Sequence, residues 1–190
     1  VADIILRDKP GHTIVVPVNA SSVIERIAAR HNCKVVRCKA SETEIGTTTA
    51  KLEGAVLGGS ANGCFIFPEF QNGYDAMFAV GQLLEHLTYQ GRTLHQAVAD
   101  LPPLFYQVDS VHCPWERKGR VMRLLVEKHH DRPMELLDGV KIQTRPDHWI
   151  LVLPDAVEPL VHVYADGSDL QQTSADLNEY TQLVRYLQKA

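Results

Sequence analysis

The sequence predicts an α/β domain followed by a small α+β domain, and three observations carry that reading. Through the first half, short apolar runs of strand length alternate with segments of helical period. In the second half, three such runs follow one another across short polar connections, which implies antiparallel neighbours. A long amphipathic segment then closes the chain. With 190 residues, 45% apolar and 22% charged, the chain is large enough to bury a core and has the composition of a globular protein, so neither disorder nor a disulfide scaffold is indicated.

Residues 14–18 are apolar throughout and read as a buried strand. Ser21 and Ser22 followed by Glu25 make a capping box, opening a helix with Val23, Ile24, Ile27 and Ala28 on one face. The next strand is 34–38, and the strand–helix–strand unit predicts two parallel strands joined by a right-handed crossover. A helix is expected over about 45–53, weakened by Thr47, Thr48 and Thr49. Residues 55–57 form a strand, 58–63 a loop, and 64–67 an extended segment. Over 74–88, Met77, Phe78, Val80, Gly81, Leu84 and Leu87 recur at helical spacing, so this helix is expected to pack on the sheet before Gly91 ends it. Thr93 and Gln96 form a second capping box for a short helix reaching Asp100, which Pro102 and Pro103 stop. Residues 104–111 are extended, and a helix over 116–128 follows Pro114-Trp115. Strands at 139–143, 149–153 and 160–164 are separated by 145–147 and 154–159. Leu177, Tyr180, Thr181, Val184 and Leu187 give the last helix, 169–188, the face that covers that sheet. The two domains are therefore expected at 1–112 and 113–190.

Charge and motif chemistry exclude several functions. Acidic residues outnumber basic ones 23 to 19, a net charge of -4, which provides no electrostatic footprint for nucleic acid or an anionic membrane. No apolar run approaches the ~20 residues of a membrane span, and the mixed charges of the first ten residues are not an export signal, so a soluble cytoplasmic protein is expected. Cys33, Cys38, Cys64 and Cys113 lack zinc spacing and read as reduced, partly buried thiols. The one histidine pair, His129-His130, would diverge by roughly 100° on a helix, which suits surface positions better than a metal. Gly58, Gly59 and Gly63 invite an anion loop, yet no Lys-Ser/Thr follows them, and Asn62 breaks the G-x-S-x-G pattern around Ser60. A hairpin turn and a ligand loop both remain open there. Glu158-Pro159 is likewise open between a turn and a polar site.

Taken in order, the residues of 14–28, the glycine following Thr43-Glu44-Ile45, the loop 58–64 with Phe65-Ile66-Phe67, Asp75-Ala76, Leu101-Pro102, Asp138-Gly139-Val140, and Trp149 with its loop to Glu158-Pro159-Leu160 form a recognisable series. It resembles the C-terminal half of the α-D-phosphohexomutases, the phosphomannomutase and phosphoglucomutase family. The resemblance implies the family's third domain, a three-layer α/β/α domain with a mixed sheet, and its fourth, a small α+β domain with an antiparallel sheet like that of the TATA-binding protein. It also implies a parent that moves phosphate between C1 and C6 of a hexose through a phosphoserine and Mg²⁺, both carried by the first two domains. On that reading this chain holds no catalytic residue, no metal and no cofactor. Its partners are the missing N-terminal domains and, bound at most weakly by half a cleft, a hexose phosphate, and Val1 in place of Met fits a piece of a longer protein. An alternative parent is a mannose-1-phosphate guanylyltransferase, a sugar-1-phosphate nucleotidyltransferase in which such a half serves assembly or regulation.

Carried over residue by residue, the family's loops are altered. The sugar loop, Gly-Glu-x-Ser-Gly-His, falls on Gly59, Ser60, Ala61, Asn62, Gly63 and Cys64, where Ser60 is too short to replace a carboxylate that bonds sugar hydroxyls. The phosphate loop, Arg-x-Ser-Gly/Asn-Thr-Glu-Pro, falls on 153–159. Leu153 lacks the guanidinium, Val157 lacks the hydroxyl, and Asp155 sets a negative charge beside Ala156 and Glu158 where a dianion would sit. Around Gly46, Glu44, Thr47 and Thr48 stand where the family has a cation. The resemblance therefore implies degenerate sugar and phosphate loops and a half that is not catalytic by itself.

Overall fold

The protein is described over residues 1–189 in a computed structural model, and its contacts divide it after Pro103 into two units. The first begins with helix α1 (Ala2–Asp8), which the sequence pattern does not reveal. Its apolar run, Ile4-Ile5-Leu6, is too short to display a period, yet all three are buried. Then follow β1 (Thr13–Pro17), α2 (Val23–Arg30), β2 (Lys34–Cys38), α3 (Glu42–Lys51), β3 (Ala55–Gly59), β4 (Phe65–Ile66), α4 (Ala76–Tyr89) and α5 (Leu94–Ala99). The sheet runs β2-β1-β3-β4, with β1 parallel to both neighbours and β4 antiparallel to β3. Alternation along β1 builds the layers. Ile14 packs with Ile5, Leu6, Ile27, Leu57 and Phe67, under α1 and α2, while Val15 packs with Ile45 and Ile66, under α3. The expected three-layer α/β/α unit with a mixed sheet is what forms.

Local details depart from expectation. The Ser22 side chain does not cap α2: Ser22 itself has helical backbone angles, φ -68° and ψ -4°, rather than the extended ones of a capping residue, and the Glu25 carboxylate binds Arg37 at 2.8 and 3.0 Å. Helix α3 starts and ends earlier than the threonines suggested, and Thr49 donates its hydroxyl to Ile45 O at 2.6 Å. Only part of the α4 stripe reaches the sheet core, through Phe78 against Phe67. Met77, Val80 and Leu84 are 85, 56 and 60% exposed and Leu87 is buried, because α1 takes the sheet-facing place and α4 packs on α1. Among the described residues no helix is long and apolar enough to cross a membrane.

The second unit runs β5 (Phe105–His112), α6 (Trp115–Lys128), β6 (Met134–Glu135), β7 (Val140–Arg145), β8 (His148–Pro154), β9 (Leu160–Gly167) and α7 (Leu170–Leu187). All pairings in its sheet, β5-β9-β8-β7-β6, are antiparallel. The boundary after residue 112 is corrected to one after Pro103. β5 pairs with β9 from Phe105↔Gly167 to His112↔Leu160, so the strand assigned to the first domain belongs to the second. Helices α6 and α7 bury one face, with Val121, Leu125, Tyr180 and Val184 against Val111, Ile142, Ile150, Val152, Val161 and Val163. Asp169 caps α7, its Oδ1 accepting from Gln172 N at 2.8 Å. The surface reading of the histidine pair holds for His130 and fails for His129, which is 6% exposed. Its Nδ1 lies 3.0 Å from Leu125 O and its Nε2 3.2 Å from the Tyr180 hydroxyl, so it closes α6 against α7.

Candidate functional site

The two expected ligand loops are built differently. In the first unit, Gly58 and Gly59 are strand residues of β3, paired with Ile66 and Phe65, and the connection narrows to a hairpin turn over 60–63. Ser60 N donates to Cys64 O at 3.1 Å and Gly63 N to Ser60 O at 3.3 Å, with Gly63 at φ +82°. Gly58 has a packing reason: a Cβ there would stand 2.3 Å from Thr49 Oγ1, so β3 approaches α3 as closely as it does only without a side chain. Ser60 and Asn62 form no side-chain hydrogen bond within the described residues. The segment around Gly46 adjoins this hairpin through Ile66, which a Cβ on Gly46 would meet at 3.7 Å. Burial, with the Glu44 charge adding to it, pushes the Cys38 thiol up to about 11, so it is no nucleophile at neutral pH. Burial likewise raises the Tyr74 phenol, and the Glu42 charge acts in the same direction.

In the second unit the β8–β9 loop, 155–159, is closed by its own side chain. Asp155 Oδ1 accepts from Val157 N at 2.7 Å and from Glu158 N at 2.6 Å, and Oδ2 lies 2.8 Å from His162 Nε2. The His162 ring and these two amides hold the Asp155 carboxyl well below the usual carboxylate range, so it is ionised at neutral pH. Across the loop, Lys118 of α6 is buried and donates Nζ to Asp155 O at 2.7 Å and to Glu158 O at 2.5 Å, with its ammonium 3.5 Å from the Trp115 ring centroid. Ser110 Oγ lies 2.8 Å from His162 Nδ1, extending the chain of contacts to β5. Ala156, Val157 and Glu158 are exposed.

Apart from Gly59, which ends β3, and Leu153 and Pro154, which end β8, the residues expected in the two loops thus lie in or beside turns. The structure adds Lys118 and His162, which sequence reasoning passes over. Their signals were a lysine on the buried stripe of α6, three residues before Val121 and seven before Leu125, and a histidine between Val161 and Val163, which alternation turns to the opposite face. Glu158-Pro159 is part of this turn. Among the described residues no three His, Cys, Asp or Glu side chains gather to hold a metal ion.

A three-layer unit carrying a glycine hairpin, followed by an antiparallel sheet whose β8–β9 loop ends in Glu-Pro, defines the class: the C-terminal half of a phosphohexomutase-type protein. Residues 1–105 match the family model described as "Phosphoglucomutase/phosphomannomutase, alpha/beta/alpha domain III", and the chain belongs to that family. It is 30% identical over 185 residues to "Probable phosphoglucosamine mutase" of Methanopyrus kandleri, covering 95% of this chain and 40% of that protein. A phosphoglucomutase/phosphomannomutase of Thermococcus kodakarensis is 27% identical over 193 residues, covering all of this chain and 41% of the relative. The fold matches a phosphoglucomutase/phosphomannomutase family protein of Burkholderia thailandensis with TM-score 0.77 at 15% identity, over 98% of this chain and 40% of that one. It also matches N-acetylphosphoglucosamine mutase of Aspergillus fumigatus, solved with GlcNAc-6P and magnesium, with TM-score 0.73 at 13% identity, over 98% and 43%. The chain thus spans about 40% of the length of these relatives.

Proposed function

We propose that the chain is the third- and fourth-domain half of a phosphohexomutase-like parent, that neither its sugar loop nor its phosphate loop holds a hexose phosphate, and that it performs no mutase chemistry by itself. The observation that carries this is the Asp155 carboxylate on the Val157 and Glu158 amides. Backbone donors of that kind are what an incoming phosphate would need, and an internal anion already uses them. A dianion would have to displace a carboxylate and accept its repulsion, with Lys118 already committed to two carbonyls and Leu153 offering no guanidinium. In the other loop, Ser60 replaces a charged acceptor with a short neutral group, losing bonds of about 1.5–3 kcal/mol each. The phosphoserine and Mg²⁺ chemistry belongs to the parent's other domains on this reading. The relatives named above are mutases by name, which favours a mutase parent over a nucleotidyltransferase fusion.

The test is an amide-shift titration of the chain with mannose 1-phosphate and glucose 6-phosphate. No saturable shift is expected at Ser60, Asn62, Val157 or Glu158, and saturation at either loop overturns the reading. Leu153→Arg combined with Asp155→Ser should create a saturable phosphate response at Val157 and Glu158; an unchanged response would refute the alignment of 153–159 with the family's phosphate loop.

A further inference from the structure

Within the second unit, a cleft of about 410 Å³ is walled by Ser110, Val111 and His112 at the end of β5, Arg117 in the first turn of α6, and Arg185, Gln188 and Lys189 at the end of α7. Three of its lining residues are permanent cations and none is a carboxylate, in a chain whose net charge is -4. Some other cations of this unit are committed, Arg145 to Asp176, Arg123 to Glu127 and Lys118 to the β8–β9 loop, while Arg120 and Lys128 stand on α6 outside the cleft. Arg117, Arg185 and Lys189 have no carboxylate partner among the described residues.

Helix stability explains only part of this. Arg185 and Lys189 suit the negative end of the α7 dipole, but Arg117 stands in the first turn of α6, where a helix favours an acid. One of its N–H groups donates to Gln188 O at 3.1 Å, which ties the guanidinium to the end of α7 and fixes the fork at the cleft wall. A guanidinium has five donors, so one bond leaves a fork able to grip an oxyanion. Ser110 brings a hydroxyl whose position is held by His162 Nδ1.

We propose that this cleft binds a phosphomonoester dianion. Arg117 and Arg185 hold the phosphate, Lys189 adds charge, Ser110 adds a hydrogen bond, and the volume beyond the phosphate receives the ester's body. Three cations suit a dianion better than a single carboxylate, and none of residues 153–159 takes part.

The test follows amide shifts of the whole chain during titration with inorganic phosphate, glucose 6-phosphate and, as the neutral arm, glucose. Saturable shifts at Ser110, His112 and Arg117 are expected with both phosphates, tighter with the ester, and absent with glucose. Arg117→Gln combined with Arg185→Gln should weaken binding about tenfold or more, while Arg123→Gln, on the same helix but outside the cleft, should leave it unchanged. Equal melting midpoints would show that both variants fold. No saturable shift, undiminished binding in the double variant, equal shifts with glucose or tighter binding of inorganic phosphate each overturn the proposal. Silence everywhere would sink this site and leave the loop reading standing, whereas shifts confined to Val157 and Glu158 would sink both.

Discussion

The β3–β4 hairpin and the β8–β9 loop, the two loops we propose to be without their family's ligand side chains, differ in how they are held: one by little, the other by an internal network. Turn 60–63 rests on two backbone bonds, with Ser60 and Asn62 unused. Loop 155–159 is tied by a carboxylate to two amides and an imidazole, and by a buried ammonium to two carbonyls. On the proposed reading, a loop without a ligand can stay as a bare turn or acquire an internal counterpart for its exposed donors. The second course makes the loop part of the unit's stability, and that difference can be measured.

Lys118→Met should show the largest effect. The substitution keeps the aliphatic stem but leaves Asp155 O and Glu158 O without their buried donor, an expected loss of about 2–3 kcal/mol in urea unfolding. Both tryptophans, Trp115 and Trp149, lie in the second unit, so their fluorescence reports its transition. A loss under about 0.5 kcal/mol would mean the loop is not held from α6. In the first unit the comparable cost lies in the strand rather than the turn. Gly58→Ala puts a Cβ 2.3 Å from Thr49 Oγ1 and should cost about 1–3 kcal/mol, read from amide exchange of β1 and β3. Adding Thr49→Ala should recover part of it, and strict additivity would refute the close approach as the cause.

Asp155→Asn sharpens the contrast through pH. The folded carboxyl is depressed by His162, Glu158 N and Val157 N, so its stabilisation is fully present above the unfolded carboxylate value near 4 and is lost as pH falls below it. The wild type should exceed the variant by about 1 kcal/mol at pH 7, and the gap should narrow steadily below about pH 5. A gap independent of pH would remove charge from the account.

How much of the fold and its loops is legible in the sequence depends on sequence distance. The alternation of Ile14 and Val15 and the stripe of α7 are local, so the layered first unit and the closing helix are visible. β5 cannot be assigned from its own residues, because its partner β9 begins 48 positions after β5 ends. α1 is hidden by its shortness, and without it the apolar face of α4 falls on a sheet that α1 in fact covers. In the loops, Asp155 signals a hostile charge by identity alone. That the charge is satisfied internally requires Lys118 and His162, which approach from another helix and another strand.

The smallest expected effect isolates the hairpin's backbone. Gly63 sits at φ +82°, and a Cβ added there would meet nothing within 4 Å, so Gly63→Ala brings conformational strain and no clash. A cost of about 0.5–1 kcal/mol is expected, visible as faster amide exchange at Cys64 and Phe65 with the tryptophan transition of the second unit unmoved. Gly63→Asn should cost less, because asparagine tolerates the left-handed region. If alanine and asparagine were equally costly, something other than φ would govern the turn. If both were neutral, the turn would relax to another geometry without penalty, as the proposed loss of ligand binding at this hairpin would allow.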